Sequence, residues 1–294
     1  MSLKMTTIRR IITNMKADNP SETALTSCQI RKFRLMIHSW YRENGRRLPW
    51  RETIDPYAIL ISEIMLQQTQ ADRVIGKYTE FLQLYPDFTA LAHAELRDIL
   101  SAWQGLGYNR RALAVKKCAE TVVAVYGGSL PPSIKALQAL PGIGPYTANA
   151  IAAFAFNMPT VFIETNIRTV FIHVFFGDRQ AITDADLLPL VAETLDTDNP
   201  RDWYNALMDY GAMLKKSTKN PGRRSSHHVL QSPFRGSNRE LRSRMLKAIL
   251  DAQCLTEEQL VSLMGSDAEK VQNNLVQMEK EGFIAKRLDS FVIK

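Results

Sequence analysis

Starting at Ile30, apolar residues return along the chain at three- and four-residue steps, the period of helices that bury one face. Ile30, Phe33, Leu35, Met36, Trp40 and Tyr41 mark the first such helix. A basic link, Asn44 to Arg51, separates it from a second that follows Asp55-Pro56 and carries Ile59, Leu60, Ile61, Ile64, Met65 and Leu66. Amphipathic segments continue at 70–84, 95–103, 109–126, 133–139, 145–156, 164–176, 186–195 and 200–213, with Gly and Pro at most joints. No alternating strand pattern precedes residue 280, so the main body is predicted to be all-α. Beyond it, 238–252, 256–264 (with Thr256 as N-cap) and 267–281 read as helices. Phe283–Ile293 alternates like a small hairpin, and the set suggests a winged helix-turn-helix.

Hydrophobic residues make up 45% of the 294 and charged residues 23%, ordinary values for a globular chain. The longest apolar stretch, Ala150 to Ile163, is broken by Asn157 and Pro159, short of the roughly 20 residues a membrane span needs. No secretory core follows the N-terminal charges, so a cytoplasmic location is expected. The formal charge of +7 favours a polyanionic partner. Much of it lies in 215–237, where Lys215, Lys216, Lys219, Arg223, Arg224 and Arg235 occur without an acid, the composition of a basic linker. Cys28, Cys118 and Cys254 are too few and too scattered for a four-thiolate site.

The most informative segment is Leu140-Pro-Gly-Ile-Gly-Pro-Tyr-Thr-Ala-Asn149. Gly142 and Gly144 permit a tight hairpin, and the helix entered at Pro145 presents free N–H groups suited to a phosphate. Alone, such a turn is more often a structural joint between helices. Its neighbours change the weighting. Together with Leu48-Pro-Trp-Arg51, Ile61-Ser-Glu-Ile-Met-Leu-Gln-Gln-Thr69, Gly105-Leu-Gly-Tyr108 and Met208-Asp-Tyr-Gly-Ala-Met213, the hairpin resembles the helix-hairpin-helix DNA glycosylases, nearest to the adenine-DNA glycosylase branch.

The resemblance implies two helical lobes with a helix-hairpin-helix motif flanking a DNA-binding cleft. One lobe would be formed by 26–47 and 159–214, and the other, a six-helix barrel, by 48–158. A flexible segment 1–25, a linker 215–237 and a winged-helix-like domain 238–294 complete the expected organisation. It also implies a reaction: a base is extruded from the duplex and its N-glycosidic bond hydrolysed.

Glu63 stands on a strongly apolar helix, where desolvation favours the neutral carboxyl a general acid needs; in the family the matching Glu protonates adenine. The second carboxylate, Glu164, would face the positive sugar of an oxocarbenium-like state, although the family has Asp here. The extra methylene puts the position of that charge in doubt. Tyr146 occupies the place where bifunctional members carry a nucleophilic Lys, and no Lys lies between Lys135 and Lys215, so a monofunctional hydrolase is implied. Gln67 and Gln68 are expected as wedges filling the gap left by the extruded base. Tyr108, Arg110-Arg111, Arg51, Arg46-Arg47, Gly142, Gly144 and Thr147 are expected to meet the duplex. The bland readings are a solvated glutamine pair, surface arginines, and a helix-start carboxylate at Glu164.

The chain departs from the family in two further places. Lys215 falls near the first ligand position of the four-iron, four-sulfur cluster, so no cluster is expected, and His227-His228 is too isolated for a replacement metal. Nor is the family's Nudix-like C-terminal domain expected, since the residues after the linker read as a winged helix. The expected partner is mismatched or damaged double-stranded DNA bound by a monomer, with adenine opposite guanine or 8-oxoguanine the first choice of target. Thymine or uracil mismatch excision, non-catalytic mismatch binding and a helical adaptor unrelated to DNA are the alternatives.

Overall fold

The computed structural model describes residues 25–230 and 233–294. Apart from Leu25, the expected flexible leader lies outside the described residues. The helices are α1 (Ser27–Asn44), α2 (Pro56–Leu66), α3 (Ala71–Leu84), α4 (Phe88–His93), α5 (Leu96–Ala102), α6 (Arg110–Tyr126), α7 (Ile134–Gln138), α8 (Pro145–Phe156), α9 (Thr165–Phe175), α10 (Asp184–Thr194) and α11 (Pro200–Ser217). They are followed by α12 (Asn238–Ala252), β1 (Cys254–Thr256), α13 (Glu257–Met264), α14 (Ala268–Glu281), β2 (Ile284–Arg287) and β3 (Ser290–Ile293). The fold is mostly helical, as the periodicity predicts.

The chain divides into two compact units. The first takes the described residues of Met1–Ile59 with Pro132–Gln138 and Ile143–Leu230. Its core gathers aromatic side chains from α1, α9 and α11. Phe33 meets Phe175, Phe171 and Trp203 edge-to-face at centroid distances of 5.1, 5.5 and 5.6 Å, a geometry that adds quadrupole attraction to area burial. Gly211 lets α11 press on the start of α9, since a Cβ there would lie 2.2 Å from the Asn166 carbonyl oxygen. Much of the segment read as a linker is folded into this unit. Pro221 and Gly222 are buried, Arg224 donates to the carbonyls of Ile172 and Gly177, and Ile182 exchanges backbone bonds with Arg224 and Ser226. Charge and turn residues suggested solvent; the backbone carbonyls at the end of α9 gave the arginine a place inside.

The second unit comprises Leu60–Pro131, Ala139–Gly142 and Gln231–Lys294. Phe81 packs edge-on against Tyr85 and Trp103 at 4.9 and 5.7 Å. At the C-terminal end, the antiparallel sheet has the order β1-β3-β2 and closes over α12, α13 and α14, with Leu255 opposite Phe291 and Ala285 opposite Val292. Thr256 caps α13 through a capping box with Gln259. This is the element order of a winged helix. Polar contacts tie it to the preceding helices of the same unit. Arg97 donates to the carbonyls of Leu250 and Gln253, and Arg110 and Arg242 converge on Glu281.

Candidate active site and nucleic-acid interface

Helix α2 is apolar on nearly every side, with Tyr57, Ala58, Ile59, Leu60, Ile61, Ile64 and Met65 all buried. Within it Ser62 and Glu63 are buried too, Glu63 at 7% exposure. A carboxyl taken out of water costs several kcal/mol unless it is neutral or partnered. The C-terminal end of α2 is held by Arg111. Its guanidinium collects the carbonyls of Ile64, Met65 and Gln67 at 2.8, 2.8 and 2.6 Å, and those of Leu106 and Gly107 at 3.2 and 3.0 Å. A cation at the C-terminal end of a helix satisfies its unpaired carbonyls and its dipole together. Burial pulls the Arg111 guanidinium down to about 10. Arg111 is therefore a clamp that fixes the Gln67-Gln68 turn to the Gly105–Gly107 turn. Tyr108 lies between two cations, its ring centroid 5.5 Å from Arg111 and 5.7 Å from Arg239, whose Nη1 donates to its hydroxyl at 2.7 Å. Arg110 stays largely exposed but is paired with Glu281.

In the hairpin, Gly142 has φ +78°, and a Cβ there would lie 2.7 Å from that of Ala114 on α6, so conformation and space both require glycine. Gly144, the residue before α8, is different. Its φ is −81° and an added Cβ would meet nothing within 4 Å. Nothing in its own backbone angle or surroundings demands glycine. Thr147 is buried at 3% exposure. Tyr146 sits in the first turn of α8 and packs edge-on against Phe162 at 5.6 Å.

Two residues beyond Phe162, Glu164 is the N-cap of α9. Its carboxylate accepts from the Asn166 backbone N–H at 2.5 Å and from Asn166 Nδ2 at 3.2 Å, which sets its direction at the positive end of the helix. Tyr146 and Glu164 belong to the first unit, and Glu63, Gln67, Gln68, Tyr108 and Arg110 to the second. Lys215, one turn beyond Gly211 on α11, is partly buried. Burial holds its ammonium below the usual lysine range, Glu164 opposes that shift, and Arg168 reinforces it.

Arg51 and Arg46 do not present free guanidinium groups. Both bind Asp209 of the Met208-Asp-Tyr-Gly-Ala segment: Arg51 donates Nη1 and Nη2 at 2.8 and 2.9 Å, and Arg46 its backbone N–H and Nε at 2.7 and 2.8 Å. The Arg51 side chain is 8% exposed and that of Asp209 1%. Sequence reasoning missed this pairing because partners 158 residues apart leave no local signal. It also missed Arg239 and Arg242, which lay in the winged-helix segment and outside any motif.

The residues present do not fit a four-thiolate cluster. The chain has three cysteines, Cys28 and Cys254 exposed and Cys118 buried with its thiol pushed up to about 12. No helix among the described residues is long and apolar enough to cross a membrane.

The profile of the HhH-GPD superfamily base excision DNA repair protein matches residues 61–190. A thymine/uracil-DNA glycosylase of Pyrobaculum aerophilum is 38% identical over 161 residues, covering 53% of this chain and 70% of that protein. The adenine DNA glycosylase of Mycobacterium tuberculosis is 36% identical over 183 residues, 60% of this chain, and the match spans only 59% of the relative's own length. The solved structure of a thermostable thymine-DNA glycosylase superposes with a TM-score of 0.59 at 29% identity, covering 65% of this chain and 90% of that one. The chain belongs to the HhH-GPD superfamily of base excision DNA repair proteins.

Proposed function

We propose that the protein is a monofunctional DNA glycosylase that hydrolyses the N-glycosidic bond of a mismatched base, adenine opposite guanine or 8-oxoguanine. The observation that carries this is Glu63, a buried carboxyl on a largely apolar helix inside the family-matched span. Glu63 donates a proton to the departing base, which then leaves as a neutral species. The sugar acquires oxocarbenium character, and Glu164, aimed by its bonds to Asn166, supplies the opposing negative charge. Water completes the displacement at C1′. Tyr146 offers no amine, so no Schiff base forms there and the strand stays intact. Gly144 leaves room for a phosphate to approach the first turn of α8, while Gln67 and Gln68 fill the vacated stack.

The test is a panel of duplexes holding A, T or U opposite G or 8-oxoguanine, incubated with protein and then cleaved with alkali at abasic sites. Excision of A supports the reading. Product from T or U alone favours the second reading, thymine or uracil excision, which the 38% identity to the Pyrobaculum enzyme supports. No product from any duplex would overturn both.

A further inference from the structure

Lys215 is a cation that the proposed chemistry leaves unused. The chain departs from the pattern it otherwise follows at this residue, near the first cluster-ligand position, and at Glu164, which stands where the family has Asp. Both residues belong to the first unit, and the packing of α11 on α9 relates them. Gly211 on α11 meets the Asn166 carbonyl so closely that no side chain fits between them. Lys215 comes four residues later, on the same face of α11 and one turn along. Asn166 is also the residue that holds the Glu164 carboxylate, through its backbone N–H and Nδ2.

Three observations set Lys215 apart from the basic residues that follow it. Lys216 and Lys219 are exposed, whereas Lys215 is partly buried, and among the described residues its Nζ makes no hydrogen bond or ion pair. An ammonium drawn out of water without such a bond is costly unless a nearby charge offsets the loss. Burial disfavours the charged ammonium; Glu164 opposes that effect and Arg168 adds to it. Second, Arg168 is itself engaged. It lies one turn into α9, closer along the chain to Glu164, but gives Nε and Nη2 to Asp184 at 2.8 Å each. Third, glutamate is not among the residues that favour a helix N-cap, where shorter side chains reach the free N–H groups. A Glu there has one more bond to fix, so its carboxylate needs a further restraint to hold one position.

We propose that Lys215 is a positioning residue for Glu164. Its ammonium supplies, from α11, a counter-charge that joins the Asn166 bonds in fixing where the longer carboxylate stands, and so compensates for the extra methylene at the sugar. The two departures from the family pattern then act as a pair. This role deepens the glycosylase reading and rests on it, since Glu164 meets the sugar only in that reaction.

The experiment measures single-turnover excision and duplex affinity for the full chain, on the duplex of the panel that yields most product. Lys215→Met should slow excision by roughly 10- to 100-fold, the cost of a displacement of about 1 Å or less, with affinity changed by less than about twofold. Lys215→Arg, which keeps the charge, should retain most of the rate. In the Glu164→Asp background, where the shorter carboxylate reaches the cap unaided, Lys215→Met should cost less than about threefold, so that the two substitutions are far from additive. Melting temperatures of the same variants separate a folding defect from a loss of rate, and Lys215→Gln replaces Lys215→Met if that variant is unstable. Equal slowing in both backgrounds would overturn the inference, as would a Lys215→Met variant as fast as the wild type or faster. So would one that loses affinity and not rate, the behaviour of a phosphate contact. Borohydride trapping of the wild type on DNA, lost in Lys215→Met, would also overturn it by making the amine a nucleophile. In each of these cases base excision by the wild type still stands. A wild type inactive on every duplex would remove the glycosylase reading and this role together.

Discussion

Asp209 is the acid on which two arginines converge, and replacing it by Asn separates a structural role for Arg51 from a role in binding DNA. The substitution keeps the shape and removes the charge. Burial opposes ionisation of Asp209, but the hydrogen bonds and charges of Arg51 and Arg46 outweigh it and hold the carboxyl below its ordinary range. With side chains 1% and 8% exposed, Asp209 and Arg51 form an interior pair, and breaking one from a single side costs about 3–5 kcal/mol. Arg46 is 43% exposed, so solvent screening limits its share to roughly 1 kcal/mol or less. For a folding unit of this size, that loss corresponds to a drop of roughly 6–20 °C in melting temperature. Urea unfolding followed by tryptophan fluorescence reports on the same unit, because Trp40 packs edge-on against Tyr210, the residue after Asp209, at 5.2 Å. Arg51→Ala should lose comparable stability, whereas Arg51→Met with Asp209→Leu should recover most of it, since apolar replacement of a buried pair is often neutral. An Asp209→Asn variant within about 1 kcal/mol of wild type would refute the reasoning. So would an Arg51→Ala variant that folds normally and lowers the salt slope of DNA binding by about one, the mark of a lost phosphate contact.

Other outcomes follow from the same geometry. The Asp209 carboxyl is depressed in the folded state, so its contribution is complete above the unfolded value near 3.9 and is lost as pH falls through the folded one; acid unfolding monitored by circular dichroism should be less steep in Asp209→Asn. Glu63→Gln is expected to reduce single-turnover excision by roughly 100- to 10,000-fold while retaining duplex affinity, and full activity would remove Glu63 from the mechanism. Gly142→Ala should destabilise the protein, given its positive φ and the 2.7 Å approach to Ala114. Gly144→Ala should instead leave the melting temperature unchanged and weaken DNA binding, because its Cβ meets nothing within the chain. Purified protein should contain no stoichiometric iron or acid-labile sulfide; finding both would contradict the assignment of Lys215 as a departure from the cluster motif.

Local pattern alone was enough for most helices, for the Gly142–Gly144 turn, for the Thr256 cap and for Glu63 as a polar exception on an apolar helix. Periodicity, caps and turn chemistry act within a few residues and can be read directly along the chain. It was not enough for α4, six residues long, or for β1, whose three residues are a strand only because β3 lies alongside. The same boundary separates the arginines. From composition, Arg46, Arg51, Arg110 and Arg111 were equivalent positive charges available to phosphate. Tertiary structure gave the first two to Asp209, the third to Glu281 and the fourth to the carbonyls closing α2. It also turned the basic segment after α11 inward and folded the winged helix into the second unit. A side chain's charge is written in the sequence, but its partner is chosen by contacts between distant segments, and those exist only once the chain has folded.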